Sequence, residues 1–121
     1  MTCVLIIDDS PTETYVYEMM LKKKGYEVIK AENGADGVAL AKKQQPDVIL
    51  MDIVMPGLNG FQATRQLTKA TETSHIPVIM ISTKNQETDR VWGQRQGASN
   101  YLVKPVAQTA LMSAIDDVLQ V

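Results

Sequence analysis

The chain has 121 residues, which is the usual size of one domain and leaves no room for a second of normal size. Hydrophobic residues make up 45% and charged residues 21% of it, so the composition is typical of a globular protein and excludes a disordered one. A net charge of -2 argues against a dedicated nucleic-acid binder. The single cysteine, Cys3, cannot form an internal disulfide, and the N-terminus resembles neither a signal peptide nor a membrane span. We therefore expect one domain over residues 1–121, located in the cytoplasm.

Five short apolar runs alternate with segments of helical length along the chain. The runs predict strands at residues 4–7, 28–29, 48–51, 78–81 and 101–103. The first helix follows the capping residue Ser10 and stops at Gly25. Further helices are predicted at residues 36–45, 60–69 and 87–96, and a last one carries an apolar stripe over 111–119. This alternation predicts an α/β fold, a doubly wound five-stranded parallel sheet in the order 2-1-3-4-5 with five helices on its two faces.

Polar residues follow four of the predicted strands at the point where each strand ends. They are Asp8 and Asp9 after the first strand, Asp52 after the third, Ser82 and Thr83 after the fourth, and Lys104 after the fifth. Because the carboxyl ends of parallel strands meet at one edge of the sheet, we expect these side chains to lie together. Three carboxylates at one edge would repel one another unless a cation joined them. A set of oxygen ligands favours a hard cation such as Mg²⁺.

The same edge has the groups that phosphoryl transfer needs. Lys104 offers a positive charge for a phosphoryl oxygen, and Ser82 or Thr83 adds a hydroxyl. A carboxylate can itself act as the nucleophile and form an acyl phosphate. The residues alone therefore predict Mg²⁺-dependent phosphorylation of an aspartate at this edge. Strand periodicity turns only one of the two hydroxyls toward the site, and the sequence does not decide which.

Each of these residues, taken alone, also has a simpler structural interpretation. Asp8 and Asp9 can cap the first helix, Asp52 can belong to a turn, and Lys104 can be a solvated lysine. Each interpretation is plausible for one residue, but it is less plausible that four strands end in such residues by coincidence. The sequence contains no glycine-rich phosphate-binding motif, and a single histidine, His75, supports neither a zinc site nor a Ser-His-Asp triad.

In this order and spacing, the motifs resemble the receiver domain of two-component response regulators over essentially the whole chain. The matching segments are residues 6–10 (IIDDS), 49–57 (ILMDIVMPG), 59–60 (NG), 82–83 (ST), 97–98 (GA) and 104–105 (KP). The resemblance implies a flavodoxin-like receiver without an output domain. It also implies a phosphoacceptor that promotes its own phosphorylation and dephosphorylation and is not an enzyme in the usual sense.

The resemblance also assigns roles to individual residues. It implies that Asp8, Asp9, Asp52 and the backbone carbonyl of Val54 hold Mg²⁺, that Asp52 is the phosphoacceptor, that Lys104 contacts the phosphoryl group, and that Ser82 and Tyr101 form the switch. Tyr101 matches an aromatic residue that turns inward on activation, although a half-buried strand residue explains it equally well. The peptide between Lys104 and Pro105 is expected to be cis. At Val54 the chain has an apolar side chain, whereas a polar residue at this position could orient the water that attacks the phosphoryl group.

The implied partner is a histidine kinase, with a downstream protein docking on the face formed by the fourth helix, fifth strand and fifth helix of a monomer. We expect neither a nucleic acid nor a membrane as a partner. Residues 31–34, 36–41, 57–65 and 91–98 resemble single-domain receivers that control type IV pilus twitching motility, which implies a chemosensory kinase. Three alternatives stay open: a phosphate sink for the kinase, a haloacid-dehalogenase-type phosphatase, and a scaffold that binds partners without being phosphorylated.

Overall fold

A computed structural model describes residues 1–119; Gln120 and Val121, the last two residues of the predicted domain, lie outside the described residues. Strands and helices alternate as β1 (Cys3–Ile7), α1 (Pro11–Lys23), β2 (Glu27–Ala31), α2 (Gly34–Gln44), β3 (Val48–Asp52), α3 (Gly60–Lys69), β4 (Val78–Ser82), α4 (Glu87–Arg95), β5 (Asn100–Val103) and α5 (Gln108–Leu119). The strands pair in parallel in the order β2-β1-β3-β4-β5. The predicted fold class and strand order are confirmed.

The predicted elements are all present, and their ends differ from the prediction by a few residues. Helix α5 begins three residues before the predicted stripe, and β2 extends on both sides of the two apolar residues that predicted it. Its charged residues Glu27 and Lys30 are exposed, because β2 lies at the sheet edge and pairs only with β1. None of the helices within residues 1–119 is long and apolar enough to cross a membrane.

The core consists of two apolar layers, one on each face of the sheet. Alternate residues of a strand point to opposite faces. In β1, Val4 and Ile6 pack with α1 and α5, whereas Leu5 and Ile7 pack with α2 and α3. All five residues of β3 and all five of β4 are buried, as expected for central strands that are covered on both faces. Charged side chains are therefore confined to the ends of these strands.

The helices begin at the sheet edge where the strands end, and side-chain caps fix their first turns. The Ser10 hydroxyl accepts a hydrogen bond from the Glu13 amide (3.3 Å), and Pro11 is the first residue of α1. At α3, Asn59 and Gln62 form a reciprocal capping box with two hydrogen bonds of 2.9 Å. These caps place the first turns of α1 and α3 beside the carboxyl ends of β1 and β3.

The start of α3 packs closely against the end of β3, and Gly60 makes this possible. A Cβ atom at Gly60 would overlap the Asp52 carbonyl oxygen and would lie 2.6 Å from the Ile53 Cα. Neither backbone atom can move without displacing the end of β3. Nearby, Gly57 has a φ of +74°, so the connecting loop is in the left-handed conformation there. A Cβ atom at Gly57 would have no neighbouring atom within 4 Å.

We expect Gly60→Ala to lower the free energy of unfolding by about 3 kcal/mol, because the added methyl group has no space beside backbone atoms. Denaturant titration followed by circular dichroism measures this change. Gly57→Asn is the matched control, since asparagine tolerates the left-handed conformation and meets no neighbour; its loss should stay below about 1 kcal/mol. A Gly60→Ala protein as stable as the wild type would contradict this account of the packing.

Candidate functional site

The register of the sheet brings the ends of four strands to one edge. Ile7 pairs with Met51, so Asp8 follows β1 next to Asp52, the last residue of β3. Asp52 itself pairs with Ile81, one residue before Ser82. The Lys104 amide donates a hydrogen bond of 2.8 Å to the Ser82 carbonyl, which holds the start of the β5–α5 loop at the same edge.

Three carboxylates meet at this edge. Asp8, Asp9 and Asp52 each have a carboxylate oxygen within 4.8 Å of the corresponding oxygens of the other two. Asp8 is 4% exposed and Asp52 is 7% exposed, whereas Asp9 reaches solvent. The group offers only carboxylate oxygens as metal ligands, and one of its three carboxylates is open to water. This chemistry fits Mg²⁺, which prefers a few carboxylates and keeps some of its water ligands.

Lys104 lies among carboxylates and contacts three of them. Its Nζ is 2.9 Å from Glu13 Oε2, 3.2 Å from Asp52 Oδ1 and 3.7 Å from Asp8 Oδ2. The Lys104 side chain is only 10% exposed, and that of Glu13 is 40% exposed. A single ammonium group thus faces three negative charges in a poorly solvated position, which strengthens each of these interactions.

The pKa values follow from this burial and charge. Burial raises the pKa of Asp8 to about 6, although the Ser10 amide and Lys104 act in the opposite direction. Burial also raises the pKa of Asp52, against the effect of Lys104. For Lys104, burial disfavours the charged form, but the ion pairs with Glu13, Asp52 and Asp8 outweigh it and raise the pKa. The site therefore holds more negative charge than its one lysine neutralises.

The two candidate hydroxyls lie in different surroundings. Ser82 is 1% exposed, and its hydroxyl accepts a hydrogen bond of 3.1 Å from the Lys84 amide. Thr83 is exposed and lines a cavity of about 340 Å³ together with Glu13 and Lys104. Thr83 and Lys104 thus line the same cavity, whereas the Ser82 hydroxyl is tied to the loop before α4. The role of Ser82 stays a prediction.

Tyr101 is turned inward and is 8% exposed, so it is more deeply buried than the half-buried strand residue of the sequence interpretation. Its hydroxyl donates a hydrogen bond of 2.8 Å to the Lys84 carbonyl, and the Arg90 guanidinium lies 5.4 Å from its ring centroid. Burial raises the pKa of Tyr101, and the nearby Ser82 hydroxyl partly offsets this effect. The inward orientation agrees with a switch residue, but movement of Tyr101 stays a prediction. The Lys104–Pro105 peptide is cis, as expected.

Val54 lies in the loop after β3, and its side chain is 60% exposed. It is apolar and open to solvent beside Asp52, as the sequence indicates. The proposed use of its backbone carbonyl as a metal ligand stays a prediction.

Sequence reasoning missed two residues of the site, Glu13 and Tyr17, both on α1. Tyr17 is buried and lines the cavity shared with Glu13 and Lys104, and burial raises its pKa to about 12. The missed signal was the pattern Ser10-x-x-Glu13, which is typical of a helix start. Because α1 begins at the carboxyl edge of the sheet, an acid in its first turn must lie near the strand-end residues.

Comparison with known proteins agrees with this arrangement. A sequence model of the response regulator receiver domain matches residues 4–116. The chain is 66% identical over 119 residues to Protein PilH of Pseudomonas aeruginosa, with 98% of each sequence covered. Its fold is similar to that of the Vibrio cholerae chemotaxis protein CheY4, with a TM-score of 0.92 and 31% identity over 98% of this chain and 99% of CheY4.

A third similar structure contains a metal. The receiver domain of the sensor histidine kinase PA1611 from Pseudomonas aeruginosa has a TM-score of 0.91 and 29% identity, over 99% of this chain and 98% of that one. That structure has a magnesium ion coordinated in its active-site cleft. Together with the strand order and the acidic edge, these matches lead to one conclusion: the chain belongs to the response regulator receiver domain family of two-component systems.

Proposed function

We propose that Asp52 accepts a phosphoryl group from a histidine kinase and that its phosphorylation switches a partner-binding face. The main support is the contact of 3.2 Å between Lys104 Nζ and Asp52 Oδ1 inside a group of three carboxylates. This arrangement gives one carboxylate a cationic neighbour for a phosphoryl oxygen and leaves two acids to hold a metal. Membership of the receiver family favours this function over the phosphatase alternative.

In the proposed reaction, an Asp52 carboxylate oxygen attacks the phosphorus of a phosphohistidine. The new P–O bond forms as the P–N bond breaks, and the imidazole nitrogen keeps the electron pair and takes up a proton. Asp8, Asp9, Asp52 and the Val54 carbonyl would hold Mg²⁺, which when bound supplies positive charge for the carboxylates and the phosphoryl oxygens. Lys104 neutralises further charge on the transferred group, and Ser82 offers a hydroxyl to it.

The proposed switch connects this site to the face of α4, β5 and α5. The Ser82 hydroxyl accepts a hydrogen bond from the Lys84 amide, and the Lys84 carbonyl accepts one from the Tyr101 hydroxyl. Ser82 and Tyr101 are therefore both attached to the loop before α4. Val91 and Trp92 on α4 are 38% and 49% exposed, which offers apolar surface for a partner protein. A change at Ser82 would therefore alter a surface that is suited to docking.

We further propose that the kinase belongs to a chemosensory system that controls type IV pilus twitching motility, and that the protein acts in the cytoplasm. The identity of 66% to PilH supports this proposal, as does the coverage of 98% of PilH by the receiver alone. In this proposal, the phosphorylated receiver acts by docking on a partner protein. Phosphotransfer assays with each histidine kinase of the source organism will identify the phosphoryl donor.

We expect incubation with acetyl phosphate and Mg²⁺ to add one phosphoryl group to the wild type, and Asp52→Asn to remain unlabelled. Asparagine keeps the size of the side chain but lacks the nucleophilic carboxylate. Intact-protein mass spectrometry measures the added group. Asp117→Asn, which changes an exposed aspartate on α5, is the control and should be labelled like the wild type. Equal labelling of Asp52→Asn would exclude the proposed phosphoacceptor.

We expect the affinity for Mg²⁺ to fall about tenfold for each pH unit below about 6, and to be nearly constant above pH 7. The reason is that Asp8, whose pKa is raised to about 6, must lose its proton to bind a cation. Isothermal titration calorimetry with magnesium chloride measures the affinity.

The same raised pKa predicts how the metal-free protein responds to pH. Between about pH 4 and pH 6, folded Asp8 holds more protons than unfolded Asp8, so stability falls as pH rises through this range.

For the Mg²⁺ affinity, Asp117→Asn is the control and should keep the wild-type pH profile, whereas Asp8→Asn should lose most of the affinity. An affinity that is equal at pH 5 and pH 7.5 would refute the role of Asp8.

We expect Val54→Asn to lose its phosphoryl group about fivefold faster than the wild type. An amide can hold the attacking water, and one hydrogen bond worth about 1 kcal/mol in the transition state changes a rate by this factor. The decay of the phosphorylated protein after removal of acetyl phosphate gives the rate. Val54→Leu, which stays apolar, is the control. An unchanged lifetime in Val54→Asn would show that this side chain does not limit hydrolysis.

A further inference from the structure

Glu13 is the carboxylate nearest to the lysine of the site. Its Oε2 lies 2.9 Å from Lys104 Nζ, closer than the oxygens of Asp52 at 3.2 Å and Asp8 at 3.7 Å. We propose that Glu13 is a positioning residue that holds the Lys104 ammonium in the unphosphorylated protein and competes with the incoming phosphoryl group for it. This inference rests on the proposed phosphorylation of Asp52.

The position of Glu13 is fixed by the start of α1. Its amide donates to the Ser10 hydroxyl, and Pro11 sets the first residue of the helix, so its Cα cannot drift from the site. An acidic side chain in the first turn is also favoured by the helix dipole. The side chain is partly exposed, and it lines the cavity of about 340 Å³ with Thr83 and Val106. It therefore has space to swing away from Lys104 without repacking the core.

Glu13 contacts Lys104 and lies outside the proposed metal ligands, although its negative charge adds to the raised pKa values of Asp8 and Asp52. The described acids with oxygens within 4.8 Å of one another are Asp8, Asp9 and Asp52, and Glu13 is not among them. Its negative charge is instead paired with the ammonium that a phosphoryl group needs. A phosphodonor that carries negative charge thus meets repulsion from Glu13 and a lysine that is already engaged.

Removal of this contact should speed phosphorylation. For Glu13→Gln, we expect the second-order rate constant with acetyl phosphate at saturating Mg²⁺ to rise about threefold to fivefold, the size of one partly exposed charge interaction. Glu13→Asp keeps the charge but is one methylene shorter and loses the contact, so it should also react faster, by a smaller factor. The rate ratio between Glu13→Gln and the wild type should shrink as salt is raised.

Two further measurements separate positioning from a merely structural effect. The affinity for Mg²⁺ by calorimetry, without phosphodonor, should change less than the phosphorylation rate, because Glu13 lies outside the acid group. Glu18→Gln is the matched control: Glu18 lies on the same helix and pairs with Lys22 and Lys30, not with Lys104. It should be phosphorylated at the wild-type rate.

The outcomes decide the proposal. A Glu13→Gln protein that is folded and reacts at the wild-type rate or more slowly overturns it, as does a Glu13→Asp protein that reacts like the wild type. A rate ratio that is independent of salt also overturns it. If the wild type itself takes up no phosphoryl group, the proposed function fails; if it is labelled on Asp52 and only the Glu13 variants show no effect, the inference fails alone.

Discussion

The site depends on the contacts of one poorly solvated ammonium with three carboxylates, two of which have almost no access to water. Asp8 and Asp52 are each less than a tenth exposed, and ionised groups in such a position are destabilised by several kcal/mol unless a partner compensates them. Lys104 compensates them only in part, because it also binds Glu13. The pKa values of Asp8 and Asp52 are raised chiefly by burial, and the contacts with Lys104 do not offset this effect completely. A site of this kind gains stability when a divalent cation enters, which is why binding and stability are linked in it.

The fold creates this deficit by excluding charged side chains from the central strands β3 and β4 except at their ends. β3 and β4 are buried along their whole length, so a charged residue can be accommodated only where such a strand ends. The parallel arrangement brings those ends to one edge, together with the first turns of α1 and α3. Gly60 then allows α3 to approach the Asp52 backbone. Tight packing at this edge holds the acids closer together than their charges favour, and the rest of the core compensates for the repulsion.

The apolar runs were sufficient to predict the strands and the strand-end residues, because both follow from local periodicity and parallel topology. The strand order was taken from the common order of doubly wound folds. The contact between Glu13 and Lys104 could not be predicted in the same way, since it joins residues 91 positions apart and depends on how α1 lies over the sheet. The different surroundings of Ser82 and Thr83 also emerged only in the structure, because they depend on how the end of β4 and the loop after it are arranged.

The glycine in the middle of α4 links the site to the proposed docking face. Glycine weakens a helix by about 1 kcal/mol relative to alanine, so sequence alone makes Gly93 look unfavourable. In the structure, a Cβ atom there would lie 2.8 Å from Met80 Sδ and 3.3 Å from the Tyr101 ring, so the absence of a side chain leaves room for both side chains. Gly93 is also the only buried residue of α4, which leaves this helix weakly attached to the sheet. The glycine beside Tyr101 therefore belongs to a helix with few buried contacts, which is what the proposed switch at Ser82 would require of α4.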